Sequence, residues 1–202
     1  GRLMADLAPS RSVILELRDE RQTMAEGHAF LDEKCLLLAG EIVRELARYS
    51  AARNETEALT ARAAAALQMA LARHGLEELW ILPAPDLADA KVVNEWRSVM
   101  GVKLSRASLS VPGVSPAQLR PGSPESAACR DAFAALMAAA TALGAIAGNL
   151  ERLSEEYRRS IRRARALNDV LMPELDRTVG ELETALEDLE REDAIAMRLV
   201  AR

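Results

Sequence analysis

No proline interrupts the chain between Pro9 and Pro83, and within that span residues suited to a buried seam recur in alternating steps of three and four. The positions are Ile14, Leu17, Arg21, Met24, His28, Leu31, Cys35, Leu38, Ile42, Glu45 and Tyr49, a coiled-coil pattern over about five heptads with a few polar interruptions. Ser10 is placed to cap the start of this helix, with Ser12 as a rival. Helical pattern continues through the Ala-rich residues 58–72, and Gly75 suits the left-handed residue that ends a helix. A helix from residue 11 to residue 73 would be about 95 Å long at 1.5 Å per residue, which no ordinary domain of this size uses as a core element. It must pair with something.

The other end of the chain supplies a partner. Ser123-Pro124-Glu125 reads as N-cap, first-turn proline and acidic first turn, and helical pattern runs from there to Arg202. Met172, Leu175, Val179, Leu182, Leu186 and Leu189 again alternate by three and four, while Pro173 should kink the helix or loosen one turn. In an antiparallel pair, facing residues have a nearly constant sum, and matching the Ala-rich stretches 58–72 and 132–147 sets it at about 205. That register places Glu45 near Arg159, Arg162 and Arg163, and Arg21 near Glu183 and Glu187, so that polar breaks in one seam meet opposite charges in the other. It also keeps Cys35 far from Cys129, which excludes a disulfide.

Between the helices, residues 76–123 carry five prolines and three glycines, with alternation at Val102-Lys103-Leu104 and at Leu109 and Val111. The predicted fold is therefore all-α dominated: a long antiparallel two-helix coiled coil with a small Pro/Gly-rich lobe at the tip, read as either a β-hairpin or an extended lobe. The predicted division is a tail at 1–9, a long helix at 10–75, the lobe at 76–123, and a second long helix at 124–202.

Composition agrees with this division. Half of the 202 residues are apolar but only 3% are aromatic. Alanine and leucine favour helix and close helical contact, whereas a rounded core of this size would call on larger rings. A net charge of −5 argues against a general nucleic-acid surface. The uncharged stretch Ala132 to Gly148 is shorter than the roughly 20 residues that cross a bilayer, and its Ala and Gly content reads as a tightly packed helix. Residues 1–8 lack the pattern of a signal peptide, and two cysteines without metal spacing suit a reduced, cytosolic setting.

Chemistry finds little footing. No phosphate-binding loop, nucleophile elbow or HExxH is present, and no cofactor or metal is expected. His28 reads as a seam residue and His74 as a last-turn cation, while the carboxylates of Glu181 to Asp193 read as a solvated face. The cluster Arg158, Arg159, Arg162, Arg163 and Arg165 fits two readings, pairing with Glu151, Glu155 and Glu156 along the helix or binding an acidic partner.

Three segments resemble a known family, the D subunits of V-type and archaeal-type rotary ATPases. They are Pro9-Ser10-Arg11-Ser12 with the helix that follows, Val99-Met100-Gly101-Val102-Lys103-Leu104, and a C-terminal segment. The last runs through Arg162-Arg163, Ala166-Leu167 and Val170-Leu171-Met172-Pro173 to Glu190-Arg191-Glu192-Asp193 and Arg198-Leu199. Arg165 stands where an asparagine is usual, and Val200-Ala201-Arg202 ends before the position of the customary lysine-rich tail.

The resemblance implies a non-catalytic rotor shaft, cytoplasmic and peripheral to the membrane within a membrane-bound complex. Its termini would enter the hexamer of catalytic A and B subunits, its side would bind the small F subunit of the central stalk, and its far end would meet the funnel-like C subunit of the rotor (called d in eukaryotes). It places Arg11, Arg18, Arg191, Glu192 and Arg198 at the hexamer, and Arg162 and Arg163 at the F subunit or within the shaft. Two other classes compete on the residues alone. A coiled-coil scaffold or tether would dimerise through an exposed seam, and a helical-bundle enzyme would show a buried polar or metal cluster.

Overall fold

The computed structural model describes residues 9–81, 90–111 and 123–200. Its elements are helix α1 (Arg11–Ile81), strands β1 (Lys91–Val99) and β2 (Val102–Ser110), helix α2 (Pro124–Ala166), a π-helical turn (Leu167–Leu171) and helix α3 (Met172–Val200). These form two compact units, one from Gly1–Leu37 with Tyr157–Arg202, the other from Leu38–Glu156. Both rest on an antiparallel pairing of N-terminal with C-terminal helix, and the second adds a two-stranded antiparallel sheet.

Ser10 caps α1. Its Oγ accepts the Val13 N–H at 3.3 Å and its carbonyl takes the first helical bond, from Ile14, at 3.2 Å. Gly75 breaks the helical geometry with φ 69° and ψ 171°, a region essentially restricted to glycine, but helical turns resume and run to Ile81. The break falls where the sequence places it, and the element continues past it. The start of α2 is closed reciprocally: Ser126 N–H donates to Ser123 Oγ at 3.2 Å, and Ser126 Oγ–H donates to the Ser123 carbonyl at 2.9 Å.

In the first unit, Ile14 and Leu17 of α1 are buried with Leu175 and Val179 of α3, and Val13, Met24, Leu182 and Leu186 close around them. Three ion pairs fix the register along this seam. Arg11 meets Glu190 at 2.7 Å, Arg18 meets Glu183, and Arg21 meets Asp176. The constant-sum register places Arg21 opposite Glu183 and Glu187 instead. The apolar contacts of Ile14 and Leu17 set the helices about one turn away from that estimate, and Arg18 takes Glu183.

The loosened turn expected at Pro173 is a π-helix. Proline lacks the N–H that would continue the α-helical ladder, and the Met172 N–H reaches back to the Leu167 carbonyl. The inward-facing positions consequently run Ala164, Leu167, Met172, Leu175, Val179, with one step lengthened by the π turn. This lengthened step keeps Leu175 and Val179 turned toward α1.

In the second unit, Ala63 and Ala66 of α1 pack against Ala132 of α2, with Cys129 and Leu136 at the margin. The Ala-rich stretches do face each other, as their composition requires. By length and apolarity alone the helical stretch from Pro124 would pass for a membrane span, with a window of mean hydropathy 1.7. Cys35 and Cys129 are both free thiols.

Strands β1 and β2 pair in register from Lys91 opposite Ser110 to Val99 opposite Val102. Met100 (φ 48°) and Gly101 (φ 85°) form the two-residue turn, the positive-φ pair that matches the twist of a hairpin. Methionine is a poor occupant of that first position. Met100→Asn should stabilise the hairpin by about 0.5–1 kcal/mol, read as a higher urea midpoint for loss of hairpin structure. The hairpin does not stand clear of the helices. Val102, Leu104 and Ala107 are buried, and β2 lies along α2 at Asn149 and Arg152.

Candidate partner-binding surfaces

The hairpin is held to the helices by polar contacts at positions where the seam would ordinarily be apolar. Asn149 is 3% exposed and treats β2 as a neighbouring strand would. Its Oδ1 accepts the Ser105 N–H at 2.8 Å and its Nδ2 donates to the Ser105 carbonyl at 2.9 Å. Arg152 extends the attachment, donating to the Lys103 carbonyl at 2.9 Å and to Asn149 Oδ1 at 2.7 Å. The same guanidinium lies over the Trp96 ring at 5.8 Å, a cation–π contact.

Beneath Arg97 of β1 lie two buried carboxylates of α1. Arg97 donates to Glu41 and, at 2.9 Å, to Glu45. Arg44 closes on Glu41 at 2.5 Å and Arg48 on Glu45 at 2.5 Å, each one helical turn away on α1. Glu45 is thus buried and charge-compensated, but its ion-pair partners in this unit are Arg48 and Arg97. Arg159, Arg162 and Arg163, the partners expected for it, belong to the other unit. Every buried side-chain nitrogen and oxygen among the described residues has a hydrogen-bond partner.

Burial alone would raise the Glu41 carboxyl, but hydrogen bonds from Arg97 and Arg44 outweigh it and hold the group below its ordinary value. A depressed carboxylate contributes stability in full above its unfolded pKa, about 4.3, and loses it as pH falls through the folded value. Hairpin docking should therefore be insensitive to pH between about 5 and 7 and weaken below about 4. Trp96 fluorescence in a Trp80→Phe background follows this directly, and Glu41→Gln should flatten the acid limb.

A groove of about 710 Å³ runs between hairpin and helices, bordered by Trp96, Arg97, Ala107, Ala145, Ile146 and Asn149. Of its charged groups, Glu45, Arg48 and Arg97 are engaged with one another, while Glu95 and Arg106 also line it. Among the described residues, no group of three His, Cys, Asp or Glu side chains can hold a metal. His28 sits in the seam 3.4 Å from Asp32, and His74 bridges Glu78 at 2.9 Å and the Ser123 hydroxyl.

The sequence-predicted contact residues separate into two sets. Arg11 and Arg18 lie beside Glu183, Glu187 and Glu190 around a shallow site of about 490 Å³ with Ile14, Leu15 and Leu186. Arg191 pairs along its own helix with Glu187 at 3.1 Å and Asp188 at 2.9 Å, and Glu192 and Arg198 are exposed. Arg162 and Arg163 are exposed on α2. Sequence reasoning missed Asn149, Arg152 and Arg97. The one available signal was a polar Asn149 four residues before the fully buried Leu153, in phase with the α2 seam.

Paired antiparallel helices with a docked β-hairpin define a helical-hairpin, coiled-coil protein. Comparison with known proteins gives the family. Residues 13–202 match the family model for the D subunit of ATP synthase. The V-type ATP synthase D subunit of Anaeromyxobacter dehalogenans (strain 2CP-C) is 30% identical over 201 residues, covering 96% of this chain and 95% of that one. The A-type ATP synthase D subunit of Methanopyrus kandleri is 27% identical, covering 98% and 87%. The second V-type ATP synthase D subunit of Treponema pallidum is 24% identical, covering 95% and 92%. The chain belongs to the ATP synthase D-subunit family, and is thereby a central-stalk component of a V/A-type ATP synthase.

Proposed function

We propose that the chain acts as a non-catalytic rotor shaft, carrying torque between the catalytic A/B hexamer and the ion-translocating rotor in the membrane. The observation that carries this reading is the antiparallel seam of Ile14, Leu17, Leu175 and Val179, bracketed by the cross-helix pairs of Arg11, Arg18 and Arg21. Twisting or bending such a pair disrupts packing along its length, so load is transmitted rather than absorbed. An asymmetric charged shaft presents different groups to each catalytic interface as it turns. Nucleotide state and shaft angle then bias one another as linked equilibria.

Arg11, Arg18, Arg191, Glu192 and Arg198 are assigned to the hexamer. The proximity of Arg11 and Arg18 to the α3 carboxylates, together with the exposed Ile195, Met197 and Leu199, supports this. The F subunit is assigned to the side of the shaft around Arg162 and Arg163, and the C (or d) component of the rotor to the far end. The chain then works peripheral to the membrane as part of the complex. Removing residues 191–202 leaves the Arg11–Glu190 pair intact while deleting three of the five assigned residues. ATP-driven rotation in the assembled complex should lose torque and coupling. Undiminished torque would discredit the hexamer assignment.

A further inference from the structure

Four arginines of α2, Arg158, Arg162, Arg163 and Arg165, are exposed. Among the described residues none of these four side chains makes an ion pair or hydrogen bond; Arg62, Arg130, Arg177 and Arg198 are likewise unpaired but stand singly, whereas these four fall within residues 158–165. The pairing with Glu155 that helical spacing offers Arg158 is not made. Arg158, Arg162 and Arg165 are spaced four and three apart and therefore share one stripe. The inward side of the same stretch is marked by the buried Ser160 and Ala164, so the stripe points away from the seam. Directly beyond it the π turn leaves Val170 51% and Leu171 39% exposed.

We propose that this stripe docks the acidic face of a neighbouring protein in the complex, with Val170 and Leu171 supplying the apolar contact. The inference rests on the central-stalk reading and names the chemistry of the shaft's side partner. Three guanidinium groups spread over about 10 Å of helix match carboxylates at similar spacing, each able to form two parallel hydrogen bonds. A uniform polyanion fits less well. Along the sequence the stripe is preceded by Glu151 and Glu155 and followed by Asp169, which repel a continuous run of phosphates at both ends. The chain's net charge of −5 acts in the same direction.

The test is the triple variant R158E/R162E/R165E, co-expressed with the remaining subunits of the complex and compared with wild type by native mass spectrometry. Exposed charges change fold stability little, and unchanged helicity and melting of the isolated chain verify this. The expected result is selective loss of one neighbouring subunit, with affinity down about 100-fold and its salt dependence abolished. The triple alanine variant, which adds no repulsion, should lose the same neighbour less completely. Retention of every subunit at wild-type affinity overturns the docking proposal. So does salt-sensitive wild-type binding to short duplex DNA or phosphatidylserine vesicles that the variant loses while keeping all subunits. Failure of the wild-type chain itself to enter the complex overturns the stalk reading instead, so the two failures are distinguishable.

Discussion

Asn149→Ala should release the hairpin from the helices at a cost of about 2–4 kcal/mol, because it strips both main-chain partners from Ser105. The amide of Asn149 stands where a third strand would lie, satisfying an N–H and a C=O on the edge of β2. Alanine can do neither, and the Arg152 guanidinium loses its anchor on Oδ1. Hydrogen exchange is the measurement of choice. The Ser105 amide should lose its protection, while amides of α1 near Ile14 and of α3 near Val179 keep theirs. Asn149→Asp is the informative companion. It preserves the acceptor for Ser105 N–H, removes the donor, and sets a second carboxylate near Glu45 Oε2, which Asn149 Nδ2 approaches at 3.4 Å. It should therefore fail as badly as alanine at neutral pH. Equal protection in all three proteins would show that Leu104 and Val102 hold the hairpin by burial alone.

Leu153→Ala should cost about 2–5 kcal/mol, the range for emptying a fully buried leucine site in a core that cannot collapse around it. Leu153 has no exposed surface, and neither has Leu38. In urea the midpoint should fall with an unchanged slope, since the folded and unfolded states expose the same remaining surface. Leu36→Ala is the control. That residue is 75% exposed and the substitution should stay within about 0.5 kcal/mol. A Leu153 variant as mild as the Leu36 variant would mean that the helices are loosely apposed and poorly suited to carrying load.

The helical seams were legible because they are written in local periodicity. Ile14, Leu17, Leu38, Leu175 and Val179 are buried where steps of three and four place them. The cap at Ser123, the break at Gly75 and the β-hairpin followed from local rules of the same kind. Arg21 shows where such rules stop. Its partner Asp176 depends on how two distant segments slide against each other, and lies about two helical turns from the position that a constant sum of about 205 sets opposite Arg21.

The arginines at the far C-terminal end and on α2 were visible as charges, but their pairing was not. Arg191 closes onto its own helix, whereas Arg162 and Arg165 do not. Arg97 was hidden for a different reason: nothing in β1 announces that its side chain will meet Glu41 and Glu45 more than fifty residues away.

The sequence by itself determined that the chain is helical, that its two ends carry complementary seams, and that a Pro- and Gly-rich segment with strand signals lies between them. Backbone preference and the spacing of apolar residues act over a few positions, so they survive without knowledge of the partner. Only the tertiary structure decided the register of the pairing, the site on which the hairpin lies, and the π turn before Pro173 that keeps the α3 seam in phase. Each of those depends on side chains from segments remote in sequence competing for the same space, and no local rule ranks such arrangements.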